Sequence, residues 1–405
     1  MSAPRLPTPL PWADMPGGER LFAALGADVG DTRAVGGAVR DAWLGLPVSD
    51  VDLATRLSPD EVMRRLGDAK IKVVPTGLKH GTVTAVVGGR PVEVTTLRRD
   101  VATDGRHAEV AFSDDWREDA ARRDFTVNAL YADLRTGEIT DFFGGLPDLG
   151  ARRIRFIGEP LRRIAEDHLR ILRFFRFHAR FGRGAPDAAG LAACTARAND
   201  LMALSRERIA DELLKLLALP DPTPTVAVMI EAGIFTPVLP EVSDAQALRT
   251  LISREARQGV APDALRRLSA LLPADRDLGE RIAKRLRLSK VATQRLACAG
   301  GREARDAVAA AAELAYWLGA DCARDRLLLG DAEPDGQAFA LLEGWRKPRL
   351  PLGGGQLIAK GLAAGPIVAR TLGAIERDWV AAGFPEDAAL EAIVSAQLAA
   401  ARSSQ

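Results

Sequence analysis

Three acidic residues lie in short β-forming segments and could bind a divalent cation. Asp50 and Asp52 belong to the segment 50–55, and in a strand both side chains would project from one face. Neighbouring carboxylates repel each other, and a hard cation such as Mg²⁺ would relieve that repulsion and also bind a triphosphate. Glu93 alternates with two valines in another strand and is a candidate third carboxylate. The alternative for Asp50 and Asp52 is a solvent-facing pair on an edge strand.

A pair of glycines, Gly36 and Gly37, separates a short apolar run from a helical pattern that begins at Ala38. Glycine permits a tight turn and a close approach to a ligand, and N–H groups at the start of a helix can bind phosphate. Arg40 would lie one turn into this helix and could reach the same phosphates. The alternative is an ordinary turn before a helix. Together with the three acids, this pattern indicates a two-metal site for nucleotidyl transfer.

The elements that would position these residues change in character along the chain. Between Arg33 and about Phe143, β-branched runs alternate with helical patterns, and the dipeptide Gly88-Gly89 predicts a hairpin. After Gly158 the strand signals disappear and Ala, Leu, Arg and Glu dominate. The 405 residues are enough for two to four domains. The predicted fold class is α+β, with a head that contains a small mixed sheet and then an all-helical neck, body and tail.

Charge is distributed unevenly, although the whole chain has a net charge of only +1. The stretch from Arg152 to Arg183 contains ten arginines and three acidic residues. Such a run can be a solvated helix face, but its position directly after the mixed head favours a polyanion site. Within this stretch a single helix is predicted from Pro160 to Phe181. Asp167 and Arg170 would be neighbours on its surface and could form an ordinary intrahelical ion pair.

Cysteine usage and hydropathy give the expected compartment. Cys194, Cys298 and Cys322 are far apart and odd in number, which predicts neither a disulfide framework nor a cysteine metal site. Unpaired cysteines are typical of a reducing compartment, so a cytoplasmic location is expected. The N-terminus lacks the pattern of a signal peptide, and the longest apolar stretch, 308–320, is too short to span a bilayer. No membrane partner is expected.

Several of these motifs occur in the order of a known family. The stretch Val35–Asp52 reads V-G-G-x-V-R-D-x-x-L-G-x-x-x-x-D-x-D and resembles the first motif of class II tRNA nucleotidyltransferases and bacterial poly(A) polymerases, within the DNA polymerase β-like superfamily. Further segments are similar to later motifs of that family: His80–Val83, Arg122–Ala129, Asp141–Leu149, Glu166–Arg170 and Ser205–Leu213. The resemblance is close over roughly residues 33–215 and loose beyond them.

The resemblance implies a role for each candidate residue. Asp50 and Asp52 would hold Mg²⁺, with Glu93 assisting catalysis. Asp167 and Arg170 would act as a protein template, whose acceptor and donor match the edge of cytosine or adenine. The implied nucleotide-binding residues are Gly36, Gly37, Arg40, Arg123, Asp124, Asp167, Arg170, Arg173 and Arg176, and the implied RNA-binding residues are Arg152, Arg153 and Arg180.

The implied activity is addition or repair of the 3′-terminal CCA of tRNA from CTP and ATP, with release of pyrophosphate, by a monomer or dimer. A poly(A) polymerase or a specialised A-adding enzyme is the alternative with the same head, and a catalytically inactive RNA-binding protein is the alternative from another class. The expected division is a head (1–145), a neck (146–215), a body (216–345) and a tail (346–405). Residues 98–118 resemble the flexible loop of the family.

Overall fold

The computed structural model describes residues 3–104, 107–307, 311–331, 333 and 336–403, with residues 100–104, 107–110, 305 and 307 described by their backbone alone. The chain divides into two compact units, the first formed by Met1–Leu216 with Pro224–Val238 and the second by Leu217–Thr223 with Leu239–Gln405. The finer division into head, neck, body and tail stays a prediction.

The first unit contains a seven-stranded mixed sheet with the order β3-β4-β5-β2-β1-β8-β9 and a separate two-stranded sheet, β6-β7. Strand β2 pairs parallel with β5 and antiparallel with β1. Among the described residues the strands are β1 (Thr32–Val35), β2 (Leu53–Thr55), β3 (Lys72–Gly77), β4 (Thr82–Val87), β5 (Arg90–Thr96), β6 (Arg98–Asp104), β7 (His107–Phe112), β8 (Leu130–Asp133) and β9 (Ile139–Asp141).

All described elements after residue 158 are helical, which confirms the α+β class and the helical nature of the later chain. In the part of the chain that the structure covers, no helix combines the length and the apolar character needed to cross a membrane. The α-helices in the described residues are α1 (Gly18–Ala24), α2 (Gly37–Trp43), α3 (Pro59–Asp68), α4 (Trp116–Ala121), α5 (Gly145–Gly150), α6 (Pro160–Glu166), α7 (Arg170–Phe181), α8 (Ala188–Ala196), α9 (Arg206–Leu217), α10 (Thr223–Glu231), α11 (Gln246–Arg257), α12 (Ala264–Ala270), α13 (Arg276–Arg285), α14 (Lys290–Gly300), α15 (Ala311–Leu318), α16 (Ala320–Leu329), α17 (Gly336–Leu342), α18 (Gly354–Ala359), α19 (Pro366–Ala381) and α20 (Asp387–Ser403).

The predicted hairpin is present between β4 and β5. Gly88 and Gly89 both have positive φ, 57° and 79°, which is the backbone that a two-residue hairpin turn requires. In β5, Val92 and Val94 are buried while Glu93 is exposed, as the alternation predicts. The predicted strand 50–55 is shorter than expected, because β2 begins only at Leu53. Asp50 and Asp52 therefore lie in the loop that enters the strand.

The segment 98–118, which was expected to resemble a flexible loop, contains regular secondary structure. Strands β6 and β7 pair antiparallel over residues 98–104 and 107–112, and helix α4 follows. Residues 105 and 106 lie outside the described residues. The ladder satisfies backbone groups that an irregular loop would leave to water, so a segment without core-forming side chains can still adopt regular structure.

The predicted continuous helix from Pro160 to Phe181 is wrong, because it is broken into α6 and α7. Asp167 has extended backbone angles, φ −152° and ψ 107°, directly after α6 ends at Glu166. Its carboxylate accepts a hydrogen bond from Leu169 N at 3.1 Å. Aspartate side chains compete with helical hydrogen bonds in this way, which explains why the helix ends here and starts again at Arg170.

Aromatic rings pack α7 against Phe125, which follows α4, and Phe156, which follows α5. The ring of Phe125 lies 5.4 Å from that of Phe177, and the rings of Phe156 and Phe174 are stacked at 5.5 Å. All four side chains are buried. Buried aromatic pairs contribute about 0.5–1.5 kcal/mol each beyond the area that they bury. This packing fixes the face of α7 that carries its arginines.

In the second unit, Cys298 of α14 and Cys322 of α16 form a disulfide, and Cys194 of the first unit is a buried free thiol. The expectation that the cysteines form no disulfide is therefore wrong. The two residues are 24 apart in sequence, and only the packing of α14 and α16 brings them together.

We expect reduction of Cys298–Cys322 to destabilise the second unit by roughly 3 kcal/mol, because the bond removes loop-closure entropy from the unfolded chain. Thermal denaturation with and without a reducing agent measures the effect. The matched control is the variant Cys298→Ser/Cys322→Ser, whose melting temperature should not respond to the reductant. An equal response in that variant would assign the effect to Cys194 or to another process.

Candidate active site

The glycine pair forms the turn between β1 and α2. Gly36 has φ 67° and ψ −120°, a conformation that side-chain-bearing residues rarely adopt. A Cβ atom at this position would lie 3.4 Å from the Nη1 atom of Arg123 and 3.5 Å from the carbonyl oxygen of Asn128. Glycine is needed here for the backbone angles, and the two distances place Arg123 beside the turn.

Arg40 is almost fully buried one turn into α2. Its guanidinium donates to Asp41 Oδ1 at 2.8 Å and to Asn128 Oδ1 at 2.5 Å, and it lies 4.2 Å from the ring centre of Phe181. A guanidinium that is stacked and hydrogen-bonded in this way has one orientation, so little further entropy is lost on ligand binding.

Of the three predicted carboxylates, Glu93 lies in β5, and Asp50 and Asp52 lie in the loop before β2. Leu53 pairs with Val94 in the parallel ladder, so Asp52 and Glu93 precede paired residues on adjacent strands. Partial desolvation and repulsion from Glu93 and Asp50 raise the pKa of Asp52, although Arg123 opposes this shift. Asp50 is exposed and accepts a hydrogen bond from Ser49 Oγ at 2.9 Å.

The carboxylates of Asp50, Asp52 and Glu93 offer the oxygen ligands that a magnesium ion prefers. The repulsion between Asp52, Glu93 and Asp50 is the interaction that a divalent cation would relieve. Among the described residues, however, no three acidic, histidine or cysteine side chains are already arranged to hold a metal. This agrees with the habit of Mg²⁺, which often uses one or two carboxylates and completes its octahedron with water and substrate phosphates.

Arg123 and Asp124 follow α4 and meet different partners. Arg123 faces the glycine turn, whereas Asp124 is buried and accepts two hydrogen bonds from Arg173 of α7, at 2.5 and 2.8 Å. Burial alone would raise the pKa of Asp124, but Arg173 and the amide of Asn128 hold that pKa below its usual value. The carboxylate is therefore ionised and fixes Arg173 at the floor of the site.

The predicted template residues Asp167 and Arg170 do not pair with each other. Arg208 of α9 donates to both carboxylate oxygens of Asp167, at 2.9 and 3.1 Å. Arg170 donates to Glu166 Oε2 at 2.7 Å and to the carbonyl oxygen of Arg163 at 2.8 Å. The ordinary interpretation, an intrahelical ion pair between Asp167 and Arg170, is therefore wrong.

A cavity of about 460 Å³ brings most of the predicted nucleotide-binding residues together. Volumes of 300–1,000 Å³ are typical of small-molecule sites. Of the predicted catalytic and nucleotide-binding residues, three do not line it: Asp50, Glu93 and Arg176, the last of which pairs with buried Glu212 at 2.6 Å. The lining residues are Gly36, Gly37, Arg40, Asp52, Arg122, Arg123, Asp124, Asn128, Asp167, Arg170, Arg173 and Phe177.

The predicted RNA-binding arginines differ in exposure and pairing. Arg152 and Arg153 are exposed, and Arg153 forms an ion pair of 2.7 Å with buried Asp148. Arg180 lies on α7 and pairs with Asp41 at 3.3 Å. Other arginines of the stretch neutralise buried carboxylates, as Arg173 does, so the basic surface is smaller than the sequence count indicates.

Sequence reasoning did not assign several residues that complete the site. Arg122, Asn128 and Phe177 line the cavity, and Arg208 holds Asp167. Arg122 and Asn128 belong to a motif that was already recognised, so their position in that motif could have indicated them. The partner of Asp167 is 41 residues away, and no local spacing indicates it.

Known proteins that are similar to this chain belong to the family that the sequence motifs resemble. A family model described as "Poly A polymerase head domain" matches residues 32–155, and one described as "Probable RNA and SrmB- binding site of polymerase A" matches residues 187–246. The CCA-adding enzyme of Lacticaseibacillus paracasei is 32% identical over 371 residues, which cover 87% of this chain and 89% of that enzyme. This chain belongs to the tRNA nucleotidyltransferase and poly(A) polymerase family.

Other members of the family are similar to this chain over different portions of its length. The mitochondrial CCA tRNA nucleotidyltransferase 1 of Danio rerio is 38% identical over 264 residues, so the match spans 64% of this chain and only 60% of that relative. The crystal structure of the Bacillus stearothermophilus CCA-adding enzyme in complex with CTP is 28% identical, with a TM-score of 0.75 over 97% of this chain and 98% of that chain.

Proposed function

We propose that this protein is a CCA tRNA nucleotidyltransferase, which adds or repairs the 3′-terminal CCA of tRNA from CTP and ATP and releases pyrophosphate. The observation that carries the proposal is the cavity, because it combines the glycine turn, the carboxylate of Asp52, several arginines and the Asp167–Arg170 segment in one place. These are the groups needed to bind a triphosphate and to recognise a base. The names of the relatives support the same substrates.

We propose that Asp50 and Asp52 hold Mg²⁺ and that Glu93 assists them. When bound, the metal would activate the 3′-hydroxyl of the RNA and neutralise the leaving pyrophosphate. Arg40 and Arg123 would bind the triphosphate, and Asp124 with Arg173 would contact its sugar. Arg176 would act through Glu212, since it does not line the cavity.

The test is a set of extension reactions on tRNA that lacks its terminal CCA. The protein is incubated with CTP alone, with ATP alone and with both, and product lengths are read at single-nucleotide resolution. We expect two added residues with CTP alone and three with both. Poly(A) synthesis, which the family model for the head also suggests, would give long products with ATP alone. A single A on tRNA ending in CC but no C would indicate an A-adding enzyme, and no extension would indicate an RNA-binding protein.

The cytoplasm, where tRNA and nucleoside triphosphates are available, is the proposed location. The disulfide does not support this part of the proposal, because such bonds are rare in reducing compartments.

RNA binding through phosphates should make the affinity depend on salt. We expect the logarithm of the association constant for tRNA to fall linearly with the logarithm of salt concentration, as release of counterions requires. The variant Arg152→Gln/Arg153→Gln should reduce the magnitude of the slope by about 1 for each arginine. The control is Arg64→Gln, which removes an exposed arginine of α3 outside the basic stretch. A dissociation constant that does not change with salt would contradict this placement.

A further inference from the structure

The carboxylate of Asp119 is buried behind the candidate nucleotide site and has no role in the function proposed above. It lies on α4 with only 1% of its surface exposed. Oδ1 accepts a hydrogen bond from Arg122 Nε at 2.8 Å, and Oδ2 accepts one from Arg123 Nη2 at 3.1 Å. One carboxylate therefore holds both arginines of the Arg122-Arg123 pair.

Tyr131 of β8 completes this arrangement. Its hydroxyl donates to Asp119 Oδ2 at 2.7 Å and accepts from Arg123 Nε at 3.2 Å. The ring of Tyr131 packs edge-on against Trp116 with centroids 5.3 Å apart, which fixes the position of the hydroxyl. Burial alone would raise the pKa of Asp119, but Arg123, Arg122 and Tyr131 lower it to about 2. The carboxylate is therefore ionised at neutral pH.

The geometry leaves one edge of Arg123 directed at the site. Nε and Nη2 are engaged by Asp119 and Tyr131, whereas Nη1 lies where a Cβ atom on Gly36 would be only 3.4 Å away. Arg123 lines the cavity together with Gly36. A guanidinium held on one edge and open on the other presents a fixed donor to an anion.

We propose that Asp119 is a positioning residue that orients Arg123 so that its Nη1 edge meets the phosphates of the incoming nucleotide. The inference rests on the proposed function, because it needs a nucleoside triphosphate in this cavity. Pre-organisation matters here since a small misplacement of a binding group can cost roughly 100-fold in rate. Without Asp119, two half-buried guanidiniums would lose their shared acceptor and would repel each other.

The experiment is a double-mutant cycle read as the dissociation constant of CTP by titration calorimetry, without RNA. The cycle compares wild type, Asp119→Asn, Arg123→Gln and the double variant, each checked for folding by circular dichroism. We expect Asp119→Asn to weaken CTP binding by roughly tenfold, the scale of one hydrogen bond to a charged group. Because Asp119 acts through Arg123, the double variant should bind CTP no more weakly than Arg123→Gln does.

The matched control is Asp148→Asn. Asp148 is also fully buried and pairs with two arginines, Arg153 and Arg155, but it does not line the cavity. CTP affinity should be unchanged in this variant even if its melting temperature falls, which separates positioning from a general loss of stability. If Asp119→Asn does not fold, Tyr131→Phe replaces it in the cycle, because this change removes only the bridging hydroxyl and retains the ring.

The outcomes distinguish the inference from the proposed function. CTP affinity that is unchanged in Asp119→Asn, or an effect that multiplies fully with that of Arg123→Gln, overturns the positioning role. CTP affinity that is unchanged in Arg123→Gln itself contradicts the assignment of the nucleotide site, and with it the proposed function.

Discussion

Replacement of Asp52 by asparagine should lower nucleotide incorporation by ~10³-fold, because a catalytic metal contributes several kcal/mol of transition-state stabilisation. Asp52 is the one of the three predicted carboxylates that lines the cavity, and Glu93 and Asp50 are close enough to raise its pKa. Asparagine has nearly the same shape but lacks the negative charge that binds the cation. The affinity for tRNA should change little, since the predicted RNA contacts lie elsewhere in the sequence.

The measurement is incorporation of radiolabelled CTP into tRNA that lacks CCA, together with a filter-binding assay of the same tRNA. The control is Asp60→Asn, which removes an exposed carboxylate from the first turn of α3, also in the first unit. It should retain normal incorporation. Turnover of Asp52→Asn comparable to wild type in the presence of Mg²⁺ would contradict the assignment of this residue as a metal ligand.

The second large effect concerns the choice of nucleotide. We expect Asp167→Ala to lower kcat/KM for CTP and ATP by roughly ten- to a hundred-fold, the value of a lost hydrogen bond to a charged group. The amino groups of cytosine and adenine need an acceptor, which Asp167 supplies. A site that is built to hydrogen-bond a substrate group discriminates against substrates that lack that group. Incorporation of UTP and GTP should therefore fall less, or should rise.

The structure provides a matched control for this experiment. Arg208→Gln removes the ion pair to Asp167 but retains the carboxylate. If Asp167 acts by contacting the base, the nucleotide preference should change much more in Asp167→Ala than in Arg208→Gln. An unchanged preference for CTP over UTP in a folded Asp167→Ala protein would leave the base-reading role without support. Equal changes in both variants would assign the effect to the ion pair instead.

Local pattern predicted the glycine turn and β5 correctly. The pair Gly36-Gly37 was expected to form a turn before a helix, and the backbone angles of Gly36 require glycine. Glu93 was expected between buried valines, which is where β5 places it. These features depend on the period of side chains along a strand and on the conformational freedom of glycine, and both are properties of neighbouring residues.

Local patterns gave a wrong prediction where one pattern is compatible with two different structures. The residues from Pro160 to Phe181 are compatible with one helix, but the backbone of Asp167 is extended and ends α6, so Asp167 and Arg170 do not share a continuous helical surface. Asp119 shows the opposite outcome, because a local pattern indicated a contact that was not predicted. Its spacing of three and four residues from Arg122 and Arg123 is a local signal that could have indicated their contact.

The amino-acid sequence by itself determined the fold class, the chemistry of the candidate site and most of the residues that line the cavity. Only the tertiary structure decided which of those residues pair with partners that are distant in sequence. Arg173 meets Asp124 across 49 residues, Arg208 meets Asp167 across 41, and the disulfide joins two helices of the second unit. The physical reason is that an ion pair or a disulfide depends on distance in space, and that distance is set by the packing of whole elements and not by the spacing of residues along the chain.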